Sequence, residues 1–468
     1  MWSSVLLSLR PVARVLPVLA LFCAGPEARA QRPDTAGTFP EDYLPALKPI
    51  LATALRQAPQ VIAKQLELEQ SGLRVMGANS LRLPSVGGNL TFASNETAIS
   101  SNNNTRTRDN GVFYNFGISQ SIYHWGALKN EGDKARIGVL IAQKSYAEAS
   151  RALAVTLRRS YLELIVKKSL LQQLRFARDL NVAELKLAKE KLASGLFSQG
   201  DIAARELNLS DERLRTQRAE VELTAQRRAF ARLAGIGDLA EEAIPSEIPS
   251  PAYDAAVTSA LLATLVRDGG RQTFQAQVNE LKAREADLSY RIARVRLLPK
   301  FGASAAYSLE NTTNASATTV SQQGVARQTV AIGASWNIFD GFASRAAQRD
   351  ALVNKRAAEL ELKHSAEAAV DAAQALVQLL ELDVQAMEMS ALRVGLAAAQ
   401  WHKMEDELKL GNIPQTAVDQ TLSGLKVMEF NNASARATFL ARWSEFASLV
   451  GADPVLIQLP ARHASENR

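Results

Sequence analysis

Cysteine is almost absent from this chain of 468 residues, whose one cysteine is Cys23. We expect Cys23 to be removed with a secretory signal over residues 1–30, where Arg10 and Arg14 precede a short apolar run and Ala-Arg-Ala at residues 28–30 forms a cleavage site. The mature chain then has no thiol, which excludes disulfides, thiolate metal sites and a cysteine nucleophile. A ten-residue apolar run is too short for a transmembrane anchor, and Phe22 is too bulky for the usual lipoprotein processing before Cys23.

Aromatic residues and long apolar runs are also scarce. Aromatics make up 6% of the chain and alanine is abundant, which favours long helices over a compact enzyme core. The mature chain has no apolar run of about 18 residues, so any membrane contact would use strands. Without the signal, the chain has 51 Lys and Arg and 47 Asp and Glu, and the two signs alternate along the predicted helices. This nearly balanced charge gives no support for nucleic-acid binding. Four scattered histidines and no Gly-rich phosphate loop predict neither catalysis nor a metal or cofactor site.

The chain contains one pattern twice. GISQSIYHWG and GASWNIFDGF, the glycines of GLFSQGDI and GNIPQTAV, and ARLAG and ASLVG all recur at an offset of 216 residues. Repeated landmarks at one offset indicate a duplication. We predict one copy at 31–244, a Pro-rich linker at 245–253, a second copy at 254–460 and a tail at 461–468.

Each copy contains two segments that alternate apolar and small polar residues, as strands do. A long polar loop is expected between the two strands of each copy, over 95–110 and 311–327. One apolar and one polar face suits a barrel wall between lipid and water, although a soluble sheet shows the same alternation. Four strands cannot close a membrane barrel, so a barrel would need several chains. The candidate lipid-facing residues are Tyr114, Phe116, Ile118, Ile332, Trp336 and Ile338.

The segments 127–194 and 343–410 have no proline and few glycines, and each predicts a helix of roughly 100 Å. A seven-residue apolar repeat through both indicates coiled-coil packing. Each helix is expected to end at a glycine, Gly195 or Gly411, followed by a return helix that ends near Gly235 or Gly451. The predicted fold is mainly α with a β-barrel portion, built from a duplicated unit of β-hairpin plus very long coiled-coil helices, in a trimeric α-barrel/β-barrel.

The ordered set of these features resembles the TolC-like outer-membrane efflux proteins, the outer membrane factors. The resemblance includes the duplication, the strand-to-helix junctions YHWGAL and FDGFAS, and the tips GLFSQGDIAARE and GNIPQTAVDQT. It implies a homotrimer with a twelve-stranded barrel in outer-membrane lipid and a twelve-helix tunnel through the periplasm. It also implies a periplasmic adaptor (membrane fusion) protein and an inner-membrane pump as partners, with no catalysis and no cofactor.

The two tips hold the residues that the resemblance assigns to adaptor contact and gating. Asp201 matches an acidic position of the family and is a gate candidate, although an aspartate at a helix start has its own structural role. In the second tip, Ala417 and Gln420 stand where a well-known member has two carboxylates, so strong cation selectivity is not expected. The candidates are Gly195, Gln199, Asp201, Gly411, Pro414 and Asp419.

The sequence therefore predicts a passive, gated exit duct of a tripartite efflux or type I secretion system, placed in the outer membrane and extending into the periplasm. The alternative is a periplasmic coiled-coil scaffold or adaptor whose strands form a soluble sheet. The sequence does not distinguish drugs, metals and proteins as cargo.

Overall fold

The computed structural model describes residues 39–99, 105–193, 196–315 and 320–456. The predicted signal, the predicted tail and Gly195 lie outside these ranges. The first set of elements is α1 (Pro40–Tyr43), α2 (Leu47–Gln57), α3 (Pro59–Ser80), β1 (Ser85–Ile99), β2 (Thr105–Tyr123), α4 (Ala127–Ala193) and α5 (Gln199–Ala234). The second set is α6 (Ala255–Asp268), α7 (Phe274–Arg294), β3 (Lys300–Ala315), β4 (Val320–Ser335), α8 (Ala343–Lys409) and α9 (Gln415–Leu449).

The two long helices confirm the predicted architecture. Helices α4 and α8 each contain 67 residues and begin 216 residues apart, at Ala127 and Ala343. At about 1.5 Å per residue each is roughly 100 Å long. None of the helices in the described ranges is both long and apolar enough to cross a bilayer.

The seven-residue repeat lies on the packed face of α8. Ala373 and Leu380 are fully buried, and the repeat continues toward the tip through half-buried side chains. Helix α9 packs along α8, and α5 packs along α4 in the same way. The members of the repeat beyond Leu380 are Met387, Val394, Trp401 and Leu408.

Two short helices precede each hairpin, and the periodicity of the sequence did not reveal them. Helices α2 and α3 lead into β1, and α6 and α7 lead into β3. Pro59 begins α3, where a missing N–H costs no hydrogen bond, and Asp254 accepts hydrogen bonds from the first backbone N–H groups of α6. Each of these helix pairs leads the chain back up to the sheet.

The four strands form one antiparallel sheet in the order β1-β2-β3-β4. The central pairing, β2 with β3, joins the two copies through partners such as Phe116 and Tyr307. The strands are longer than the sequence predicted, because the backbone of the expected polar loops continues as paired strand. The first strand of each hairpin begins directly after a proline, at Ser85 after Pro84 and at Lys300 after Pro299.

A hydrophobic core lies midway along the long helices, where α2 packs on α4 and α5, and α6 packs on α8 beside α9. Leu157 and Ile165 of α4 pack there with Phe230, Phe439 and Phe446, and all are nearly or fully buried. At about 25 cal/mol per Å² of apolar surface, each such side chain contributes roughly 1.5–3 kcal/mol. Helix α2 packs against the first hairpin and α6 against the second, while α4 and α9 join the two hairpins directly.

The core contains a fully buried cation, Arg158, whose side chain is 0% exposed. It binds Asp453 with Nη1 to Oδ2 at 2.5 Å and Glu41 with Nε to Oε2 at 2.9 Å. Burial alone would lower the pKa of Arg158, but the bonds and charges of Asp453 and Glu41 outweigh it and raise the pKa. The guanidinium also lies 4.6 Å from the centre of the Phe39 ring. This cluster joins both ends of the described chain to α4.

The Pro-rich segment between the two halves is packed onto the helices. Ile244 and Ile248 are each 1% exposed and belong to the core. Arg436 donates a hydrogen bond to the backbone carbonyl of Ile248 at 2.8 Å. Lys168 donates hydrogen bonds to two backbone carbonyls, those of Glu241 and Ile244. The segment is thus bound to α4 through Lys168 and to α9 through Arg436.

Candidate functional site

The sheet has one apolar face, and that face is uncovered. Tyr114, Phe116 and Ile118 of β2 lie on it, and cross-strand pairing aligns them with Leu90, Gly88 and Val86 of β1. The ring of Phe116 lies over Gly88, where a Cβ would approach the ring to 3.0 Å. Ile332 of β4 shares the face and is 80% exposed. A soluble sheet buries such a face against a core, so this one suits contact with lipid.

Trp336 and Ile338 do not belong to this strand face, which corrects the sequence prediction. Strand β4 ends at Ser335, and both residues lie in the turn that leads to α8. The indole N–H of Trp336 donates a hydrogen bond to the carbonyl of Leu297 at 2.9 Å. Both side chains are nevertheless exposed, at the boundary between the sheet and the helices. The strand ends early because the chain must turn sharply, with Gly341 and Phe342 both at positive φ.

The opposite face of the sheet consists of small and polar residues. Gly87 pairs with Gly117, which pairs with Ala306, and Gly302 pairs with Gly333. The hydroxyls of Ser85 and Ser119 are 2.8 Å apart across β1 and β2. A surface of glycine, alanine and serine leaves free space next to the strands and is compatible with water.

A bulge near the helical end of β2 adjusts the two faces. The pairing with β3 shifts between Ser121 and Tyr123, so that Tyr123 lies opposite Phe301 on the apolar face. The Tyr123 ring also contacts Trp125, with centroids 5.3 Å apart. Trp125 donates its indole N–H to the carbonyl of Pro299 at 2.8 Å. The apolar face therefore ends in aromatic side chains.

The first tip is closed by a helix cap. The backbone N–H of Asp201 donates to the Ser198 hydroxyl at 3.2 Å, and the Asp201 carboxylate accepts from the hydroxyl and backbone N–H of Ser198. These bonds from Ser198 lower the pKa of Asp201. Gln199 is the first residue of α5 and is exposed. Asp201 thus makes its described hydrogen bonds within its own turn, as an aspartate at a helix start does.

The second tip uses a left-handed glycine. Gly411 has φ +77°, and the N–H groups of Gly411 and Asn412 donate to the carbonyls of Leu408 and Glu407. This pair of hydrogen bonds is a Schellman motif. Its left-handed position favours glycine, because a Cβ there would be strained. Pro414 caps α9 from an extended conformation, and Asp419 accepts a hydrogen bond from Gln415 at 2.8 Å.

A contact between the two tip hairpins was not predicted. Glu184 of α4 accepts hydrogen bonds from Arg205 of α5 and from Gln420 of α9, both at 3.3 Å. The Glu184 side chain is mostly buried by these partners. From the sequence, Gln420 is distinguished only as an uncharged residue where a well-known member has a carboxylate. Because the partners are far apart in sequence, no local pattern could have paired them.

Metal and cofactor chemistry has no visible centre in the described ranges. No group of three His, Cys, Asp or Glu side chains there could hold a metal ion. His402 lies next to Glu405, and His124 lies near Lys300, so these two histidines do not meet.

Comparisons with known proteins agree with this geometry. Residues 50–236 match the family model "Outer membrane efflux protein". A comparison with curated sequences finds no match. The fold matches the CmeC outer membrane channel of Campylobacter jejuni with a TM-score of 0.71, at 14% identity over 91% of this chain and 90% of that one.

Two further solved structures share the fold. The outer membrane protein VceC of Vibrio cholerae matches with a TM-score of 0.65, at 13% identity over 88% of this chain and 98% of that one. The MtrE outer membrane channel of Neisseria gonorrhoeae, in its open state, matches with a TM-score of 0.59, at 15% identity over 87% and 89%. Residues 50–236 are thus similar to the outer membrane efflux proteins, and the chain shares its fold with solved outer-membrane channels.

Proposed function

We propose that this chain is the outer-membrane exit duct of a tripartite efflux or type I secretion system and acts as a passive, gated conduit. The observation that carries the proposal is a sheet with an exposed apolar face, fixed to one end of helices about 100 Å long. Strands of 15 to 19 residues can cross a bilayer. The helices then extend from the membrane through the periplasm.

The duct requires more than one chain, because the sheet has two free edges. β1 and β4 each pair with one neighbour in the described sheet, and an open edge in lipid leaves backbone groups without partners. Helices α3 and α5 belong to the side of β1, and α8 belongs to the side of β4. The two sides of one chain would therefore meet the opposite sides of its neighbours, which generates a closed ring.

Unpartnered apolar stripes on both sides support this ring. Near the tips the helices follow one another in the order α5, α4, α9, α8, so α5 and α8 are the outer helices. On each of them three exposed apolar residues recur every seven positions, as in a coiled-coil seam. The stripes are Leu207, Leu214 and Val221 on α5, and Leu382, Met389 and Leu396 on α8.

Three chains would supply twelve strands and a continuous helical tunnel. We expect a trimer in which α5 of one chain lies against α8 of the next. Leu214 and Leu396 both lie roughly 20–23 Å above the tips, at about 1.5 Å per helical residue. Introducing Leu214→Cys with Leu396→Cys should therefore give disulfide-linked trimers in outer-membrane fractions.

The control for this experiment is Leu214→Cys with Val353→Cys. Val353 is equally exposed on α8 but lies roughly 60 Å nearer the sheet, so it cannot reach Leu214. Trimers in the first variant and monomers in the control are expected. A freely soluble periplasmic monomer, or no species above the monomer in either variant, would contradict the proposal and favour a periplasmic scaffold.

At the far end, the tips are the proposed contact with a periplasmic adaptor and, through it, with an inner-membrane pump. Gln199, Gly411 and Pro414 are exposed where α4 turns into α5 and α8 turns into α9. Among the described residues, these two turns are the ends of the helical hairpins that lie farthest from the sheet. Energy for transport would come from the pump, since the duct offers a path and a gate.

A further inference from the structure

A band of exposed aromatic residues lies where the sheet meets the long helices. Trp125 and Trp336 belong to it, and the Phe339 and Phe342 rings stack edge to face with centroids 5.4 Å apart. The indole N–H groups of Trp125 and Trp336 each bind a carbonyl of the segment between α7 and β3. Aromatic side chains of this kind settle at the headgroup level of a bilayer.

Next to this band, on the helix side, the end of α7 and the start of α8 are basic. Five arginines at the ends of α3, α7 and α8 form what we call the basic collar. No Asp or Glu occurs between Asp287 and Glu310, or between Asp340 and Asp350. The collar consists of Arg82, Arg294, Arg296, Arg345 and Arg349.

The collar residues on α7 and α8 lie at one height. The ion pair between Asp287 and Lys355, at 2.7 Å, joins α7 to α8 below them. The hydrogen bond from Trp336 to Leu297 joins the same two segments above them. Arg294 lies seven residues above Asp287, about 10 Å along the helix, and Arg349 lies six residues above Lys355, about 9 Å.

The collar is unneutralised within the described residues. All five side chains are exposed, and none has a carboxylate within 4 Å there. Asp340, which lies near Arg296, is already bound by the hydroxyl and backbone N–H of Ser344. By contrast, α4 cations such as Arg159 and Lys167 have carboxylate partners. Several exposed arginines at one height beside an aromatic band form a surface that attracts anions.

We propose that the basic collar binds the phosphate groups of anionic phospholipids in the bilayer leaflet on the helix side. This inference rests on the proposed function, because it needs the apolar sheet face to lie in a membrane. Arginine matches phosphate geometry with paired N–H donors. Basic residues beside a membrane attract acidic lipids strongly at low salt and weakly at high salt. The collar would thereby fix the height of the duct in the bilayer.

Trp125 and Trp336 offer a direct readout of this binding. The full-length protein would be reconstituted in phosphatidylcholine vesicles that contain an equal fraction of either brominated phosphatidylglycerol or brominated phosphatidylcholine, both of which quench indole fluorescence. We expect about threefold enrichment of phosphatidylglycerol over phosphatidylcholine at the two tryptophans, from the attraction of several cations near the surface. The excess should decrease as salt rises from about 0.1 to 1 M, since the screening length falls from about 10 to 3 Å.

Two charge-matched variants test the assignment. The triple variant Arg294→Gln, Arg296→Gln and Arg345→Gln should lose the enrichment. The control triple variant Lys48→Gln, Arg267→Gln and Arg271→Gln removes three exposed cations at mid-length and should keep it.

Each other outcome is informative. Equal quenching by both lipids in the unmodified protein would overturn the collar while leaving membrane insertion intact. Equal loss in both triple variants would assign the effect to net charge and overturn it too. If the arginine triple variant shifts the reversal potential of the channel but keeps the lipid enrichment, the arginines lie in the lumen. That result would also overturn the collar. No quenching by either lipid would instead count against the proposed function.

Discussion

The charge of Arg158 is buried, so its stability depends on the partners around it. A guanidinium taken out of water needs partners for its charge and its donors, and here Asp453, Glu41 and Ser444 supply them. The cation also lies against Phe39. Removing such a cation leaves two carboxylates without their counter-charge in a nonpolar environment.

Arg158→Ala should therefore lower the free energy of unfolding by about 3–5 kcal/mol. The neighbouring Arg159→Ala, which breaks an exposed pair with Glu445, should cost at most about 1 kcal/mol. Urea unfolding of the detergent-solubilised protein measures both. Equal losses would mean that the burial of Arg158 has no energetic consequence.

Gly270 is a second residue fixed by a close approach. Its φ is +75°, and a Cβ there would overlap the backbone carbonyl oxygen of Ala366 on α8. The adjacent Gly269 has φ +63° but nothing within 4 Å of a Cβ. A substitution at Gly269 would therefore cost only backbone strain, whereas one at Gly270 would add steric overlap with α8.

Gly269→Ala should cost about 1–2 kcal/mol, the usual penalty of a left-handed residue with a Cβ. Gly270→Ala should cost clearly more, because α6 must also move away from α8. The comparison uses the same urea measurement. If Gly270→Ala were the milder change, the close packing of α6 on α8 would be refuted.

At the scale of elements, the tips are held in two different ways. Asp201 closes the turn between α4 and α5 through Ser198, whereas Glu184 joins α4 to both α5 and α9. Only the second set of bonds connects the two helical hairpins. A gate that opens by separating the hairpins would have to break the bonds of Glu184.

We expect Glu184→Ala to raise single-channel conductance in a planar bilayer, because it removes the link between the hairpins. Asp201→Ala should leave conductance unchanged and weaken only the start of α5. Glu190→Ala removes the same charge from an exposed site on α4 and serves as the control. An increase with Asp201→Ala but not with Glu184→Ala would reverse the assignment and restore Asp201 as the gate residue.

The stability contributed by Asp201 should depend on pH in a defined direction. Its pKa is lowered by the hydrogen bonds from Ser198, so the stabilisation is present above the unfolded pKa of about 3.9. It is lost as pH falls through the lower folded value. Near neutral pH the cap is therefore fully formed.

At the scale of the whole molecule, α8 and the strand β4 define one side of the chain, and α3, α5 and β1 define the other. Within the described residues, each side has an unpaired strand edge and an exposed apolar stripe on its outer helix. These surfaces would pair with the opposite side of a neighbouring chain. The ring, the membrane band and the tips would then lie along one axis. The linked trimers described above test this arrangement, and the lipid experiment tests where the bilayer lies on it.

The sequence by itself determined the elements whose signal is local. Both long helices follow from proline-free heptad segments, the strand faces follow from alternation, and Gly411 marks its turn because only a left-handed residue ends the helix there. The resemblance to the outer membrane efflux proteins was visible because these local signals recur in order. The helices that precede the hairpins, such as α3, were not among the predicted elements, because they lie outside the repeated landmarks.

Only the tertiary structure decided which distant groups meet. Arg158 binds carboxylates that lie 117 and 295 residues away, and Glu184 meets Gln420 across 236 residues. The polar loops became paired strand because a neighbouring strand offers backbone partners that no local pattern reveals. Periodicity reports which face of an element is apolar, but packing between elements decides what that face, and each buried charge, will contact.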